Sequence, residues 1–317
     1  MRLDEARVLV TGGTGFLGRH LCDALRTAGA VAVPVGSADA DLRDEPQVAG
    51  LLERTRPDAV VHLAAVVGGI GANQREPGRF FHDNMLMGVH LLEACRRQRV
   101  EKVVLVGTAC SYPGDAPVPT TEDQLWHGFP EPTNAPYGLA KRVLVVQGQA
   151  YRAQYGCNIV SVIPTNLYGP GDNLDLDSGH VIPNLVRRFS EAHAAGAAEV
   201  TLWGDGTPTR DFLYVGDAAA GCVAALRRYD GEEPVNLATG HETSIAELAE
   251  LVRRRIGFGG SITWDAARPN GQERRCLDSS RAQGALGWRP EVALEEGLDR
   301  TVRWFRSLSA HVPAVAR

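Results

Sequence analysis

Arg7-Val8-Leu9-Val10-Thr11-Gly12-Gly13-Thr14-Gly15-Phe16-Leu17-Gly18 is the stretch that decides the fold. The short apolar run Arg7 to Thr11 reads as a strand, the glycines as a turn, and the amphipathic segment His20 to Thr27 as a helix. Gly12, Gly15 and Gly18 have GxxGxxG spacing, one residue different from the GxGxxG fingerprint. Glycines there let backbone approach a pyrophosphate, and the helix N-terminus attracts its charge. A glycine turn alone is a weak signal. Between a strand and a helix it points to a dinucleotide-binding unit.

Outward from this turn the pattern repeats. A second strand covers Ala30 to Val35 and ends in Gly36-Ser37-Ala38. An NAD-binding unit usually carries an acidic residue there to hold the ribose hydroxyls. None blocks a 2′-phosphate here, so NADP(H) is expected, although no arginine stands there to pair with it. Asp41 and Leu42 could flank the adenine. Asp58 to Ala65 is a third strand whose small end, Ala64 included, leaves room for a cofactor to lie across it. A glycine-rich loop, Val66 to Asn73, precedes a helix from Phe80 to Gln98 that carries Asn84. A fourth strand, Lys102 to Val106, leads into Gly107-Thr108-Ala109-Cys110-Ser111-Tyr112-Pro113. This alternation predicts an α/β fold, a Rossmann-type doubly wound parallel sheet. Ligands bind at the carboxyl ends of such strands, which is where Thr108 lies.

Asn134-Ala135-Pro136-Tyr137-Gly138-Leu139-Ala140-Lys141 opens a helix that ends at Gly156. Tyr137 and Lys141 share one of its faces. An ammonium beside a phenol is expected to lower the phenol's pKa, and the tyrosine can then exchange a proton with a carbonyl oxygen while hydride moves at its carbon. Alone, Tyr-x-x-x-Lys describes an ordinary helix face. The hydroxyl of Thr108 upstream can bond the same carbonyl oxygen, and that changes the reading.

Composition sets the limits. The chain has 317 residues, 44% hydrophobic and 22% charged, with net charge −5. Those values describe a soluble globular protein with no basic excess for nucleic acid or anionic membrane. No signal peptide and no apolar run long enough to span a bilayer are expected. Six scattered cysteines, without CxxC or metal-ligand spacing, fit a reducing cytoplasm and no metal site.

Thr108, Tyr137 and Lys141, with the N-terminal glycine turn and Leu286-Gly287-Trp288-Arg289-Pro290, resemble the extended short-chain dehydrogenase/reductases, whose nucleotide-sugar members share that C-terminal signature. Gly68 to Asn73, Cys110-Ser111-Tyr112-Pro113, Glu131 to Asn134, Pro164 to Pro170, Ser178-Gly179-His180-Val181-Ile182-Pro183 and Trp203 to Val215 narrow the resemblance to the GDP-L-fucose synthase family. That family epimerises a GDP-4-keto-6-deoxymannose at C3 and C5 and reduces C4 with NADPH.

By this resemblance Thr108, Tyr137 and Lys141 serve the reduction, with Cys110 as base and His180 as acid for the epimerisation. Gly12, Gly15, Phe16, Leu17, Gly18, Asp41, Leu42, Ala64, Tyr137, Lys141, Pro164 and His180 are the expected cofactor contacts. Asn166, Arg187, Arg188, Trp203, Arg210 and Arg268 are expected at the nucleotide sugar, with Arg275 a weaker candidate. The departures Thr108, Ala109, Ser111 and Gly179 are expected to fall in the substrate pocket.

The expected layout is an NADP-binding domain over 1–167, with returns near 211–240, and a smaller substrate lobe from 168–210 and 241–317. Apolar residues in excess of one stripe around Asn84 and Val143 suggest a homodimer. A sole 4-reductase, a 4-epimerase of another nucleotide sugar and a non-catalytic NADP sensor are the alternatives. A 4,6-dehydratase is disfavoured because no Asp-Glu pair follows Thr108. Retention of both Tyr137 and Lys141 argues against a sensor.

Overall fold

The computed structural model describes residues 1–68, 70–176, 178–268 and 270–310; Gly69, within the glycine-rich loop read above, lies outside them. Strand and helix alternate through the first half of the chain. β1 (Arg7–Thr11) is followed by α1 (Phe16–Thr27), β2 (Val31–Val35), α2 (Glu45–Thr55) and β3 (Ala59–His62). A short α3 (Ile70–Arg75) precedes α4 (Pro77–Arg97), β4 (Lys102–Val106), α5 (Ala135–Tyr155) and β5 (Ile159–Pro164). The helix after the glycine turn starts at Phe16, earlier than expected, because Gly15 already serves as its N-cap. The third strand ends at His62, three residues earlier than expected, as the backbone leaves the ladder toward the glycine-rich loop.

The second half is built from shorter pieces: β6 (Asn166–Tyr168), α6 (Val181–Ala194), β7 (Glu199–Trp203), β8 (Thr209–Arg210) and β9 (Phe212–Tyr214). Then come α7 (Val215–Arg228), β10 (Val235–Leu237), β11 (Thr243–Ser244), α8 (Ile245–Ile256) and β12 (Ser261–Asp265). β13 (Arg274–Arg275), α9 (Ser280–Leu286) and α10 (Leu294–Ala310) close the chain.

The main sheet has the order β10-β5-β4-β3-β1-β2 and every pairing in it is parallel. Strands β3, β4 and β5 are buried throughout, as a parallel sheet covered on both faces requires. One face packs on α1 and α7 through Leu21, Leu25, Cys222 and Leu226. The other packs on α2, α4 and α5 through Leu51, Leu91, Leu92 and Leu144. Each such side chain, taken fully out of water, contributes about 1.5–3 kcal/mol. The amino group of Met1 donates to the carbonyls of Leu226 and Arg227, which ties the N-terminus to the end of α7. A separate core joins α6, α8 and α10 through Leu185, Phe189, Leu248, Val252 and Leu298. Small sheets, β11-β8-β13, β12-β7 and β6-β9, accompany it.

All six cysteines are free; Cys110 and Cys157 are half-buried and the rest buried. Among the described residues no helix is long and apolar enough to cross a membrane, and no cluster of three His, Cys, Asp or Glu side chains could hold a metal.

Candidate functional site

The glycine turn is shaped by close approach. Gly12 has φ +71°, a left-handed conformation open to glycine at little cost. A Cβ on Gly18 would lie 2.6 Å from the Gly13 Cα and closer still to the Gly12 carbonyl oxygen, so α1 packs on the turn only without a side chain there. The first turn of α1 has no acidic residue and no side-chain cap at Gly15, which leaves its N–H groups directed at an incoming anion. Thr11 Oγ1 lies 2.8 Å from His62 Nδ1 and accepts from the Ala64 N–H at 3.4 Å, fixing the ends of β1 and β3 side by side. Asn84 clamps the start of the next loop through both the N–H and the C=O of Val66, at 2.9 Å each. These features fit a dinucleotide pyrophosphate.

The turn after β2 differs in detail from expectation. Asp39 folds back so that its carboxylate accepts the Gly36 N–H at 2.8 Å, which brings an acid close to the position that had looked neutral. The Asp41 carboxylate is paired: Arg43 Nη2 sits 2.8 Å from its Oδ2 and Arg43 Nε 2.9 Å from its Oδ1. The same guanidinium reaches the buried Asp83 at 3.1 Å. Leu42 is buried beside them in the core.

α5 carries the second element of the site. Pro136 stands in its first turn, and Gly156, at φ +69°, returns its N–H to Arg152 and Tyr151 as the C-cap. A Cβ on Gly138 would lie 2.9 Å from the Cys110 carbonyl carbon, so the glycine lets the loop after β4 lie on the helix. Ser111 Oγ donates to the Gly138 carbonyl at 2.9 Å, and Arg142 donates to the Ser111 carbonyl. Thr108, Cys110, Tyr137 and Lys141 are thereby assembled at one strand end. Thr108 hydrogen-bonds the Tyr137 phenol and accepts the Cys110 N–H at 3.2 Å.

The electrostatics correct one expectation. Lys141 is buried, donates to the Val106 carbonyl at 3.3 Å, and is pushed down to about 8 by burial. It does not pull the phenol down: burial, then the neighbouring Cys110, raise Tyr137 above its ordinary value, and only the Thr108 hydrogen bond opposes them. The phenol is therefore protonated at neutral pH, the form a proton donor needs.

Two contacts were not anticipated from the sequence. Arg275 Nη1 donates to Cys110 Sγ at 3.3 Å, across 165 residues of chain. It reaches there because β13 pairs with β8, placing Arg275 opposite Arg210. Burial and the adjacent Arg275 push Arg210 down to about 10, and it donates to the backbone carbonyls of Thr209 and Glu273. The second contact is Asp172, whose Oδ1 lies 3.4 Å from His180 Nδ1. Asp211 supports both strands, its carboxylate bonded to Thr239 and the Gly240 N–H. The Asn166 amide donates to the Asp211 carbonyl at 2.9 Å, so this side chain braces the strand end.

The remaining candidates separate. Arg187 is committed to Glu191 at 2.7 Å and to the Leu174 carbonyl at 3.0 Å. Arg188, one residue on, is half-buried and has no hydrogen-bond or ion-pair partner among the described residues. Trp203 is 60% exposed, with the Arg268 guanidinium 5.0 Å from its ring centroid; Arg268 thus covers the ring and lies 3.6 Å from Asp265. Pro164 ends β5 at the same sheet edge as Thr108.

Two of the departures expected in the substrate pocket are buried. Ala109 is buried against Tyr112 and Leu125, and Ser111 is spent on α5. Gly179 follows from a tight loop: a Cβ would lie 2.6 Å from the Asn173 carbonyl oxygen and closer still to that of Asp175.

Comparison with known proteins agrees with this geometry. The NAD dependent epimerase/dehydratase family model matches residues 8–238. GDP-L-fucose synthase 1 of Arabidopsis thaliana is 40% identical over 302 residues, 95% of this chain and 93% of the relative. GDP-L-fucose synthase of Escherichia coli K12 is 37% identical over 313 residues, covering 96% and 97%. The crystal structure of a GDP-L-fucose synthetase from Naegleria fowleri superposes with TM-score 0.89 at 31% identity, covering 98% of this chain and 96% of that one. The same protein has been solved bound to NADP, at TM-score 0.88. Matched along most of its length by the family model and nearly end to end by these relatives, the chain belongs to the NAD dependent epimerase/dehydratase family, on the branch of the GDP-L-fucose synthases.

Proposed function

We propose that the chain converts a GDP-linked 4-keto-6-deoxyhexose, GDP-4-keto-6-deoxy-D-mannose, to GDP-L-fucose by epimerisation at C3 and C5 and reduction at C4, with NADPH. The glycine turn and the α1 N-terminus would hold the pyrophosphate, and Tyr137, Lys141, Pro164, Ala64 and His180 would contact the remainder of the cofactor. When bound, NADPH supplies the hydride for C4. Arg188 and Arg210 bind the substrate diphosphate, Trp203 offers an exposed ring to the nucleotide base, and Asn166 supports the pocket. The lobe from 168–210 and 241–317 forms the substrate half over an NADP-binding domain of 1–167.

A 4-keto group acidifies the protons on both neighbouring carbons. Thr108 and Tyr137 donate hydrogen bonds to its oxygen and so stabilise the enolate that forms when a proton leaves. Cys110, two residues beyond Thr108, takes that proton. His180 returns one from another segment, and inversion follows when the two act on opposite faces. In the reduction Tyr137 gives its proton to the C4 oxygen, and the Thr108 hydrogen bond steadies the phenolate left behind, while Lys141 contacts the cofactor.

The observation that carries this reading is the thiol on the loop that bears Thr108, contacted by Arg275, with His180 supplied from elsewhere. A plain reductase has no use for that extra pair. The test is incubation with GDP-4-keto-6-deoxy-D-mannose and NADPH in deuterium oxide, with NMR of the product. Deuterium at C3 and C5 and a GDP-L-fucose product are expected. Reduction without deuterium at either carbon would leave a 4-reductase. Exposed Val143 and Val146 on α5 support pairing of two chains into a homodimer, read by sedimentation.

A further inference from the structure

His180 stands in an unfavourable place for a cation. It is the N-cap of α6, where the positive end of the helix dipole opposes protonation of a ring. An acid that must return a proton to carbon at neutral pH has to carry one. The loop after β6 answers this with Asp172. Its side chain is 2% exposed, while that of His180 is 52% exposed. Asp172 Oδ1 accepts the Asn173 N–H at 2.7 Å and faces His180 Nδ1 at 3.4 Å. Asp172 Oδ2 is buried with no hydrogen-bond partner among the described residues. A buried carboxylate with a single cationic neighbour is costly unless that neighbour keeps its charge.

We propose that Asp172 is the positioning residue of the acid: it holds His180 by Nδ1, fixes the direction of Nε2, and keeps the ring protonated for delivery to the substrate carbon. This rests on the reading of His180 as the acid of the epimerisation. Of the other charged groups on this loop and helix, Arg188 has no hydrogen-bond or ion-pair partner among the described residues, while Asp175 and Arg187 are engaged. Asp175 is bonded to Ser178, and Arg187 to Glu191 and the Leu174 carbonyl. The hydrogen bond to Asp172 raises His180 above the ordinary imidazole value, and partial desolvation of the ring offsets only part of this. Because the value is raised, the proton stays on the ring to higher pH than on an ordinary imidazole and is lost as pH climbs through the raised value. The alkaline limb of epimerisation should fall there.

The experiment follows His180 directly, by NMR pH titration of protein with ¹⁵N-labelled histidine, the signal being assigned by its absence in His180→Gln. In the unsubstituted protein the midpoint should lie above the ordinary ~6.5. In Asp172→Asn it should fall by about one pH unit or more. The alkaline limb of C3/C5 inversion should move down with it, so that Asp172→Asn loses about tenfold at pH 8 and little at pH 6. Asp172→Glu should restore part of the shift. An unchanged midpoint in Asp172→Asn would overturn the proposal, as would equal losses at both pH values, which are the mark of a merely structural role. If Asp172→Asn does not fold, a midpoint at or below ~6.5 in the unsubstituted protein overturns it alone. The titration needs no substrate. Failure of the epimerase reading, seen as absent deuterium exchange in the unsubstituted protein, is therefore distinguishable from failure of the dyad.

Discussion

Gly18→Ala places one methyl group where the structure has no room. The new Cβ would sit 2.6 Å from the Gly13 Cα and nearer still to the Gly12 carbonyl oxygen. These are backbone atoms, so no rotamer change relieves the clash. Ordinary contact requires separations of 3.4–4 Å, so α1 and the turn must part by about an ångström. Overpacking of this kind costs about 1–3 kcal/mol, which lowers Tm by about 2–5 °C in a chain of 317 residues. The same displacement moves the first-turn N–H groups away from the pyrophosphate. A loss of about 1.4 kcal/mol there weakens NADPH tenfold. Gly50→Ala is the control. Its Cβ, inside α2, would meet only the tip of Arg54 at 3.8 Å. Removing a helical glycine there should stabilise by about 0.5–1 kcal/mol and leave NADPH affinity alone. The assay is a thermal melt of each variant without cofactor, paired with NADPH titration by fluorescence. Gly18→Ala with unchanged Tm and unchanged affinity would show that the turn is not packed as described.

Tyr137→Phe removes the proton donor but leaves the ring, so kcat for C4 reduction should fall about 10²–10⁴-fold with NADPH binding intact; full turnover would exclude the phenol as acid. Cys110→Ser should abolish deuterium exchange at C3 and C5 while slow reduction of the unepimerised ketone continues, and unchanged exchange would place the base elsewhere. Arg188→Ala should raise KM for the nucleotide sugar about tenfold or more, as loss of a charge-assisted bond to phosphate implies, whereas Arg187→Ala should change it little because its side chain already serves Glu191. Ser37→Asp should weaken NADPH relative to NADH and Ser37→Arg should do the opposite, read as the ratio of kcat/KM values; equal ratios would put the 2′-phosphate away from this turn.

The parts legible in the sequence are those fixed by local rules. An apolar run, a glycine turn and a helix period mark β1 and α1, and Tyr137 and Lys141 meet because one helix turn separates them. Arg275 at Cys110 and Asp172 at His180 were not legible in that way. The first depends on β13, a strand of two residues with no periodicity to read, pairing with another of the same length. The second depends on a loop whose fold is set by the Asp172, Asn173 and Asp175 side chains accepting from the backbone N–H groups of Asn173, Asp175 and Ser178. The direction of the Tyr137 shift was misread because sequence spacing reports that a lysine is near. It does not report that burial acts on both partners.

The edge strand β10 has a consequence for how the chain is made. β10 pairs with β5, and α7 covers the face of the sheet that α1 only partly shields. Both arrive late: Val235–Leu237 leaves the ribosome long after β5 is complete. Until then the nascent sheet has an open edge and an apolar face in water, and the amino terminus lacks the Leu226 and Arg227 carbonyls that anchor it. The first layer in space is thus not finished first in time. A nascent chain stalled near residue 200 should stay protease-sensitive and engage chaperones, whereas one released past residue 240 should close its sheet and resist.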